Sequence, residues 1–249
     1  GKKLGEGGMG AVYEAKHQML ARPAAIKLIR RPDGLAGDKN WLSRFEREAQ
    51  ATACLQSPHT ISIYDFGKTK EGTFYYVMER LHGTDLATLV ERVGILSPGR
   101  AIHVLRQVCR SLAEAHGAGF IHRDIKPANI FVCRQALELD FAKVLDFGLV
   151  KANFEQRSIE LTQAETLLGT PAYMSPEMIE GHPVDGRADL YSLGCVAYWS
   201  LTGRPVFEAN NPAAVVVSHL TEAPQSVREV VGDEIPEELD RIVSRCLAK

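Results

Sequence analysis

The chain has 249 residues, of which 45% are hydrophobic, and its formal net charge is −2. That length and composition provide a sizeable core for one large domain or two modest ones. The near-neutral charge disfavours a nucleic-acid-binding protein or one that binds anionic membranes electrostatically. The five cysteines are scattered without a Cys-x-x-Cys pair, which predicts free thiols rather than a disulfide framework or a zinc site.

The sequence has no membrane-spanning run and no signal-peptide pattern, and we expect both of its ends to be cut. No run approaches the roughly 18 apolar residues of a membrane-spanning helix, and no signal peptide opens the sequence. The chain begins with Gly1 and stops at Lys249 inside a helical pattern. We therefore expect part of a longer protein, truncated at both ends, with no nucleic-acid partner and no membrane contact within this part.

The first part of the chain has mainly the pattern of β-strands. Apolar or alternating runs predict strands over residues 24–29, 61–64 and 73–78. Between the first two of these runs, apolar residues recur at helical spacing and predict one helix from about Asn40 to Leu55.

Helical patterns dominate the rest of the chain. Ser97 followed by Pro98 is typical of a helix start. Residues 189–201 are apolar on nearly every face, which predicts a helix buried in a large core. A small strand-rich part, residues 1–80, thus precedes a larger helical part, residues 81–249, and ligand sites favour such junctions.

Residues 5–10 form a G-x-G-x-x-G pattern, which alone is weak evidence of function. One interpretation is a loop whose backbone comes close to phosphates. A second is a dinucleotide-binding turn, which needs a helix directly after the glycines, whereas residues 11–15 have a strand pattern. The pattern favours a phosphate-covering hairpin, and a purely structural turn remains the alternative.

A more specific cluster is the run His-Arg-Asp-Ile-Lys-Pro-Ala-Asn at residues 122–129. Asp124 can accept a proton from a hydroxyl group, and Lys126 can neutralise a phosphoryl group during transfer. Asn129 can offer an oxygen to a metal ion. Asp146, in the run Asp-Phe-Gly, adds a carboxylate, and the alternative of a merely polar loop becomes weak.

Lys27 lies in the first apolar strand pattern, and Glu48 lies in the predicted helix. Each residue by itself is most simply a solvated charge. A buried lysine, however, needs a carboxylate partner, and Glu48 could supply one.

With these motifs in order, the chain resembles the protein kinase family. It has the glycine-rich loop, the strand lysine, the catalytic loop, Asp-Phe-Gly, and Ser-Pro-Glu at residues 175–177 in place of the family's Ala-Pro-Glu. The amino-acid sequences of residues 5–13 and 44–49 are typical of bacterial, eukaryotic-like Ser/Thr kinases. The resemblance covers nearly the whole chain and implies an α+β, two-lobed fold, with a small β-rich N-lobe and a larger helical C-lobe.

The resemblance also implies catalytic and metal-binding roles. Lys27 would bind the α- and β-phosphates of ATP and pair with Glu48, and Asp124 would be the catalytic base with Lys126 beside the γ-phosphate. Asn129 and Asp146 would bind Mg²⁺, for which Mn²⁺ could substitute. Asp189 would hold the backbone of the catalytic loop. ATP and Mg²⁺ are thus the expected cofactors, and catalysis would come mainly from positioning and charge neutralisation.

The nucleotide contacts that the resemblance implies lie in the glycine loop and where the two parts join. Met78 would be the gatekeeper, Glu79 and Leu81 would present backbone groups to adenine, and Asp85 would contact the ribose. Apolar members of this set would be buried in any folded domain. The expected set is Leu4, Gly5, Glu6, Gly7, Gly8, Met9, Gly10, Val12, Ala25, Lys27, Met78, Glu79, Leu81, Asp85 and Phe131.

Substrate and regulation are implied in the same way. Thr170 matches the Ser/Thr branch and would lie where the protein substrate docks. Arg123, directly before Asp124, marks family members whose activation segment is ordered by phosphorylation. Thr162 and Thr166 are the candidate acceptors, modified between two molecules in a transient homodimer, and the alternative is that both are solvated loop residues.

Two alternative functions are disfavoured, and the chain differs from the family pattern at one further place. A pseudokinase that acts as a scaffold is disfavoured because the catalytic residues are present, and a small-molecule phosphotransferase is disfavoured by the long segment between Asp146 and Glu177. In the family, an arginine near the C-terminus of the domain pairs with the glutamate that corresponds to Glu177. That arginine is not found here, because Arg245 lies too early in the final helix pattern, so we expect a buried carboxylate without its partner.

The expected location is the cytoplasm, as a free enzyme or as the inner domain of a receptor kinase.

Overall fold

A computed structural model of the chain describes residues 1–7, 10–30, 49–50, 52–147 and 171–249. Its strands are β1 Lys3–Gly7, β2 Gly10–Lys16, β3 Pro23–Ile29, β4 Ile63–Lys68, β5 Phe74–Glu79, β6 Gly83–Asp85, β7 Ile130–Gln135 and β8 Glu138–Val144. Its α-helices are α1 Leu86–Val93, α2 Pro98–Gly117, α3 Pro176–Ile179, α4 Gly186–Thr202, α5 Pro212–Thr221, α6 Val227–Val231 and α7 Glu237–Cys246.

The strands of the N-lobe form one antiparallel sheet in the order β1-β2-β3-β5-β4. The strands predicted at 24–29 and 73–78 are confirmed as β3 and β5. The strand predicted at 61–64 instead begins at Ile63, because the backbone N–H of Ile61 donates to Val144 of β8 at 3.0 Å and draws that residue toward the C-lobe.

Only the end of the helix predicted from Asn40 to Leu55 lies within the described residues. Residues 49–50 and 52–54 are helical, whereas Leu55 is not. Ala49 is fully buried and packs with Ile29 and Tyr76 in the small core of the N-lobe.

The C-lobe is built around two long helices and a small sheet in the order β6-β7-β8. Helix α2 starts directly after Ser97, with Pro98 in its first turn, as predicted. Helix α4 is buried along most of its length, which confirms the prediction for residues 189–201. Among the described residues, no helix is long and apolar enough to span a membrane.

Polar contacts connect the two lobes. The ammonium of Lys143 on β8 lies 2.6 Å from Glu79 Oε1 at the end of β5, and both side chains are largely buried. On α2, the Glu114 carboxylate accepts the backbone N–H groups of Gln56 and Ser57 at 2.6 and 2.7 Å. These bonds connect residues 56, 57 and 79 of the N-lobe to β8 and α2 of the C-lobe.

Candidate active site

The glycine loop lies between two antiparallel strands, with Gly7 opposite Gly10. Because strand β2, not a helix, follows the glycines, the dinucleotide-binding alternative is wrong. Gly10 has a φ of 140°, and a Cβ there would lie 1.9 Å from the Leu28 carbonyl oxygen, so packing on β3 requires this glycine. A Cβ at Gly5 would meet no described atom within 4 Å, so packing within the described structure does not require that glycine.

Lys27 on β3 is only 7% exposed, so the interpretation as a solvated edge charge is wrong. Its ammonium lies 2.5 Å from Asp146 Oδ2, although the two residues are 119 positions apart. A buried lysine was expected to need a carboxylate partner, and the structure shows Asp146 in that position. Glu48, the partner that the sequence suggested, lies outside the described residues.

Asp146 has a second donor that the sequence analysis did not find. The hydroxyl of Tyr76 on β5 donates to Asp146 Oδ1 at 2.5 Å. The sequence feature that could have indicated this contact is a tyrosine in a strand predicted to be buried, because a buried tyrosine hydroxyl usually needs a hydrogen-bond partner. Burial pushes the pKa of Asp146 upward, but the charge of Lys27 and the hydrogen bonds from Lys27 and Tyr76 outweigh it. The pKa therefore lies below its ordinary value, and the carboxylate is ionised.

The catalytic-loop residues converge on the carboxylate of Asp124, which is 6% exposed as a residue. The Lys126 ammonium lies 3.0 Å from its Oδ2. The amide nitrogen of Asn129 donates to the same oxygen at 3.0 Å and to the Asp124 carbonyl at 2.8 Å. An amide turned in this way directs its nitrogen to Asp124, and its oxygen is the atom suited to a cation.

Asp189 on α4 binds the backbone of the catalytic loop, as the resemblance implied. One carboxylate oxygen accepts the backbone N–H of His122 and the other that of Arg123, each at 2.8 Å. The buried His122 ring bonds to the Leu145 carbonyl at 2.8 Å and packs against Phe147, with ring centroids 4.6 Å apart. These two contacts join the catalytic loop to residues 145–147.

Asn129 and Asp146 lie at the same end of the β7–β8 hairpin. The backbone N–H of Leu145 donates to the Asn129 carbonyl at 2.9 Å, directly beyond the Ile130–Val144 pair. One amide oxygen and one carboxylate suit Mg²⁺, which takes few protein ligands and completes its shell with water and phosphate oxygens. Within the described part of the chain, no group of three or more His, Cys, Asp or Glu side chains could hold a metal ion.

Among the expected adenine contacts, Val12, Ala25 and Met78 lie on the adjoining strands β2, β3 and β5, whereas Phe131 lies on β7 in the other sheet. Ala25 is buried and pairs with Met78, and Val12 pairs with Lys27. The backbone N–H of Glu79 donates to the Ser62 carbonyl at 3.0 Å, so this N–H already has a partner within the protein. Leu4 and Glu6, by contrast, lie on the exposed strand β1.

The expected ribose contact has a structural role in this fold. Asp85 pairs with Phe131 across β6 and β7. Its two carboxylate oxygens accept the backbone N–H and the hydroxyl of Thr88 at 2.9 and 2.8 Å, which caps helix α1. A ribose would therefore share this carboxylate with the helix cap.

The expectation for Glu177 is wrong in one respect: this residue is partly exposed rather than buried, so water can solvate its charge. Several other expected residues lie outside the described residues: Gly8, Met9, Glu48, Thr162, Thr166 and Thr170.

Comparisons with known proteins show which family the chain is similar to. The sequence profile of the protein kinase domain matches residues 1–249. The chain is 39% identical over 248 residues to the serine/threonine-protein kinase pkn3 of Myxococcus xanthus, covering 99% of this chain and 45% of that protein. It is 40% identical over 252 residues to the serine/threonine-protein kinase PknB of Mycolicibacterium smegmatis, covering 100% of this chain and 39% of that protein. The chain thus spans less than half the length of these curated relatives.

A solved structure gives the same result for the fold. The crystal structure of the PknI kinase domain from Mycobacterium tuberculosis superimposes with a TM-score of 0.75 at 27% identity. The match covers 99% of this chain and 85% of that domain.

Proposed function

The chain belongs to the protein kinase family, and we propose that it transfers the γ-phosphate of ATP to Ser and Thr hydroxyls of proteins. The observation that carries the proposal is two sets of contacts between buried and half-buried side chains: Asp124 with Lys126 and Asn129, and Lys27 with Asp146. The similar proteins are named as serine/threonine-protein kinases, which supports the choice of acceptor.

Asp124, Lys126 and Lys27 each have a separate role in the proposed phosphoryl transfer. Asp124 receives the proton of the acceptor hydroxyl, and Lys126, 3.0 Å from the same carboxylate, stabilises negative charge on the phosphoryl oxygens. Lys27 binds the α- and β-phosphates from the N-lobe. Little covalent help is needed in phosphoryl transfer, so correct placement and charge neutralisation supply most of the rate.

Asn129 and Asp146 are the residues that would hold Mg²⁺. The ion, when bound, neutralises the phosphates and orients them for transfer. The low pKa of Asp146 keeps its carboxylate ionised without a metal, so no proton has to leave before the cation binds.

The nucleotide base would lie between the two lobes, which we place at residues 1–80 and 81–249. Ala25, Val12 and Phe131 would enclose the ring, and the Glu79 carbonyl and Leu81 N–H would bond to its edge. The glycine hairpin would cover the phosphates. Gly5 leaves room for them, because a Cβ placed on Gly5 would meet no described atom within 4 Å.

We further propose that activity is regulated by autophosphorylation of Thr162 or Thr166. Arg123, held by Asp189 next to the candidate base, would receive the phosphate and so link the phosphorylated segment to the catalytic loop. The modification would occur between two molecules in a transient complex, in the cytoplasm. Thr170 would contribute to docking of the protein substrate.

The direct test is transfer of radiolabelled γ-phosphate to a generic protein substrate, followed by identification of the modified amino acids. We expect phosphoserine and phosphothreonine, loss of transfer in EDTA, and recovery on addition of Mg²⁺ or Mn²⁺. A domain that binds ATP without transfer would indicate a pseudokinase. Transfer to small alcohols but not to proteins would indicate a small-molecule phosphotransferase.

A further inference from the structure

Tyr76 and Lys27 act on the same carboxylate from adjacent strands. The register of β3 and β5 places these two residues directly opposite each other. The Lys27 ammonium lies 2.5 Å from Asp146 Oδ2, and the Tyr76 hydroxyl donates to Oδ1 at 2.5 Å. Both oxygens of the candidate metal ligand are therefore held by the N-lobe sheet, although Asp146 belongs to the C-lobe.

Tyr76 is suited to a positioning role because its side chain is buried in the N-lobe core. It is 1% exposed and packs with Ile29, Ala49 and Phe74 in the N-lobe core. Burial raises the pKa of its hydroxyl well above the ordinary value, and the neighbouring Asp146 charge raises it further. The hydroxyl therefore keeps its proton and remains a donor to the carboxylate.

Asp146 itself needs such support because its backbone is in the left-handed region, with a φ of 55°. A residue other than glycine stays in that conformation only when its surroundings determine it. The ion pair with Lys27 holds only Oδ2 of Asp146. The carboxylate could still rotate about its axis if nothing held the other oxygen. The bond from Tyr76 to the second oxygen supplies that restraint.

We propose that Tyr76 is a positioning residue, whose hydroxyl holds the Asp146 carboxylate in the orientation that binds the Mg²⁺ of the nucleotide complex. The inference rests on the proposed kinase function. A carboxylate oxygen has about two acceptor sites, so Oδ1 can accept the Tyr76 bond and still coordinate a cation. Partners that hydrogen-bond to metal ligands typically change metal affinity or activity by about 10- to 100-fold.

The test uses binding rather than turnover. Calorimetry measures the affinity of the whole domain for ATP in EDTA and in Mg²⁺, and the ratio of the two affinities gives the gain from the metal. Tyr76→Phe keeps the ring and removes only the hydroxyl. We expect its affinity in EDTA to equal that of the wild type and its gain from Mg²⁺ to be smaller by about tenfold.

Tyr75→Phe is the matched control. Tyr75 is the next residue on β5, pairs with Gly67 on β4, and places its hydroxyl over that glycine instead of near Asp146. This variant should keep the wild-type gain from Mg²⁺. Thermal denaturation of both variants verifies that each one folds.

Three results would overturn the inference alone, and a fourth would overturn the proposed function as well. An equal gain from Mg²⁺ in Tyr76→Phe and wild type would make the hydroxyl purely structural, and a larger gain would make it a competitor of the metal. In the Asp146→Asn background, Tyr76→Phe should cause no further loss, so an undiminished effect there would show that Tyr76 acts elsewhere. A wild-type domain that binds no ATP in Mg²⁺ would instead overturn the proposed function, and this inference with it.

Discussion

The backbone N–H of Arg123 donates to Asp189 Oδ1 at 2.8 Å, and Arg123 has a φ of 62°. A conformation of that kind costs about 1–3 kcal/mol in a residue other than glycine. The other oxygen of Asp189 accepts the His122 N–H and lies 2.7 Å from His116 Nε2. A buried carboxylate on α4 thus offsets the strain of the residue that directly precedes the candidate base.

Asp189→Asn is expected to destabilise the domain. The amide replaces one acceptor by a donor, so at least one backbone N–H loses its partner in a site where the carboxylate is 1% exposed. We expect a loss of about 3 kcal/mol in the free energy of unfolding, measured by urea denaturation. Asp185→Asn is the control, because exposed Asp185 caps the same helix and asparagine caps as well as aspartate. Equal losses in the two variants would contradict the role of Asp189.

Asp124→Asn should keep the fold and the affinity for ATP but remove the proton acceptor. Loss of a general base lowers rates by about 10²- to 10⁴-fold, and phosphate transfer to a protein substrate measures the effect. Asp233→Asn is a suitable control because that side chain is 96% exposed. Wild-type turnover in Asp124→Asn would show that another group accepts the proton.

Lys27→Met should lower turnover by on the order of 100-fold or more, because a buried cation that stabilises phosphate charge is lost. The variant also removes the charge that opposes the effect of burial on Asp146, so the pKa of that carboxyl should rise toward or above its ordinary value. Transfer rates and ATP affinity measure the first effect. Lys16→Met, on the exposed end of β2, should behave as wild type, and full activity in Lys27→Met would refute the assignment.

Incubation with ATP should place phosphate on Thr162, Thr166 or both, detected by mass spectrometry. Each phosphate adds about −1.5 to −2 charges, which Arg123 can bind. The double variant Thr162→Ala with Thr166→Ala should lose activity several-fold. The modification rate per molecule should rise with protein concentration if it occurs between molecules, and Asp124→Asn should stay unmodified. Unmodified peptides in a fully active enzyme would rule out this regulation.

His219 should contribute to unfolding in acid. Burial, followed by the charge of Lys249, lowers its pKa from 6.5 to about 4, and the ring is fully buried against Tyr191 and Phe207. The folded protein binds the proton more weakly than the unfolded chain, so stability present above pH 6.5 is lost as the pH falls toward 4. The expected loss is about 3 kcal/mol.

Urea denaturation of His219→Gln across this pH range tests the expectation. The variant lacks the titrating group, so its stability should depend less steeply on pH than that of the wild type. His182→Gln, at an exposed position, should keep the wild-type slope. Parallel pH profiles for His219→Gln and wild type would assign the acid sensitivity to other groups.

The sequence by itself determined the features that depend on neighbouring residues. Strands β3 and β5 follow from local apolar patterns, and the start of α2 follows from Ser97 and Pro98. The association of Asp124, Lys126 and Asn129 was predictable because the three lie within one short loop. The order of the motifs also identified the kinase family before any contact was known.

Only the tertiary structure decided which distant groups meet. It paired Lys27 with Asp146 and placed Tyr76 on the other oxygen. The expected pairing of Lys27 with Glu48 stays a prediction, because Glu48 lies outside the described residues. The tertiary structure also showed that packing against Leu28 requires Gly10. Local patterns give the face of a strand or helix, but burial and charge pairing arise when separate elements pack together, and the partner of a buried charge is set by that packing.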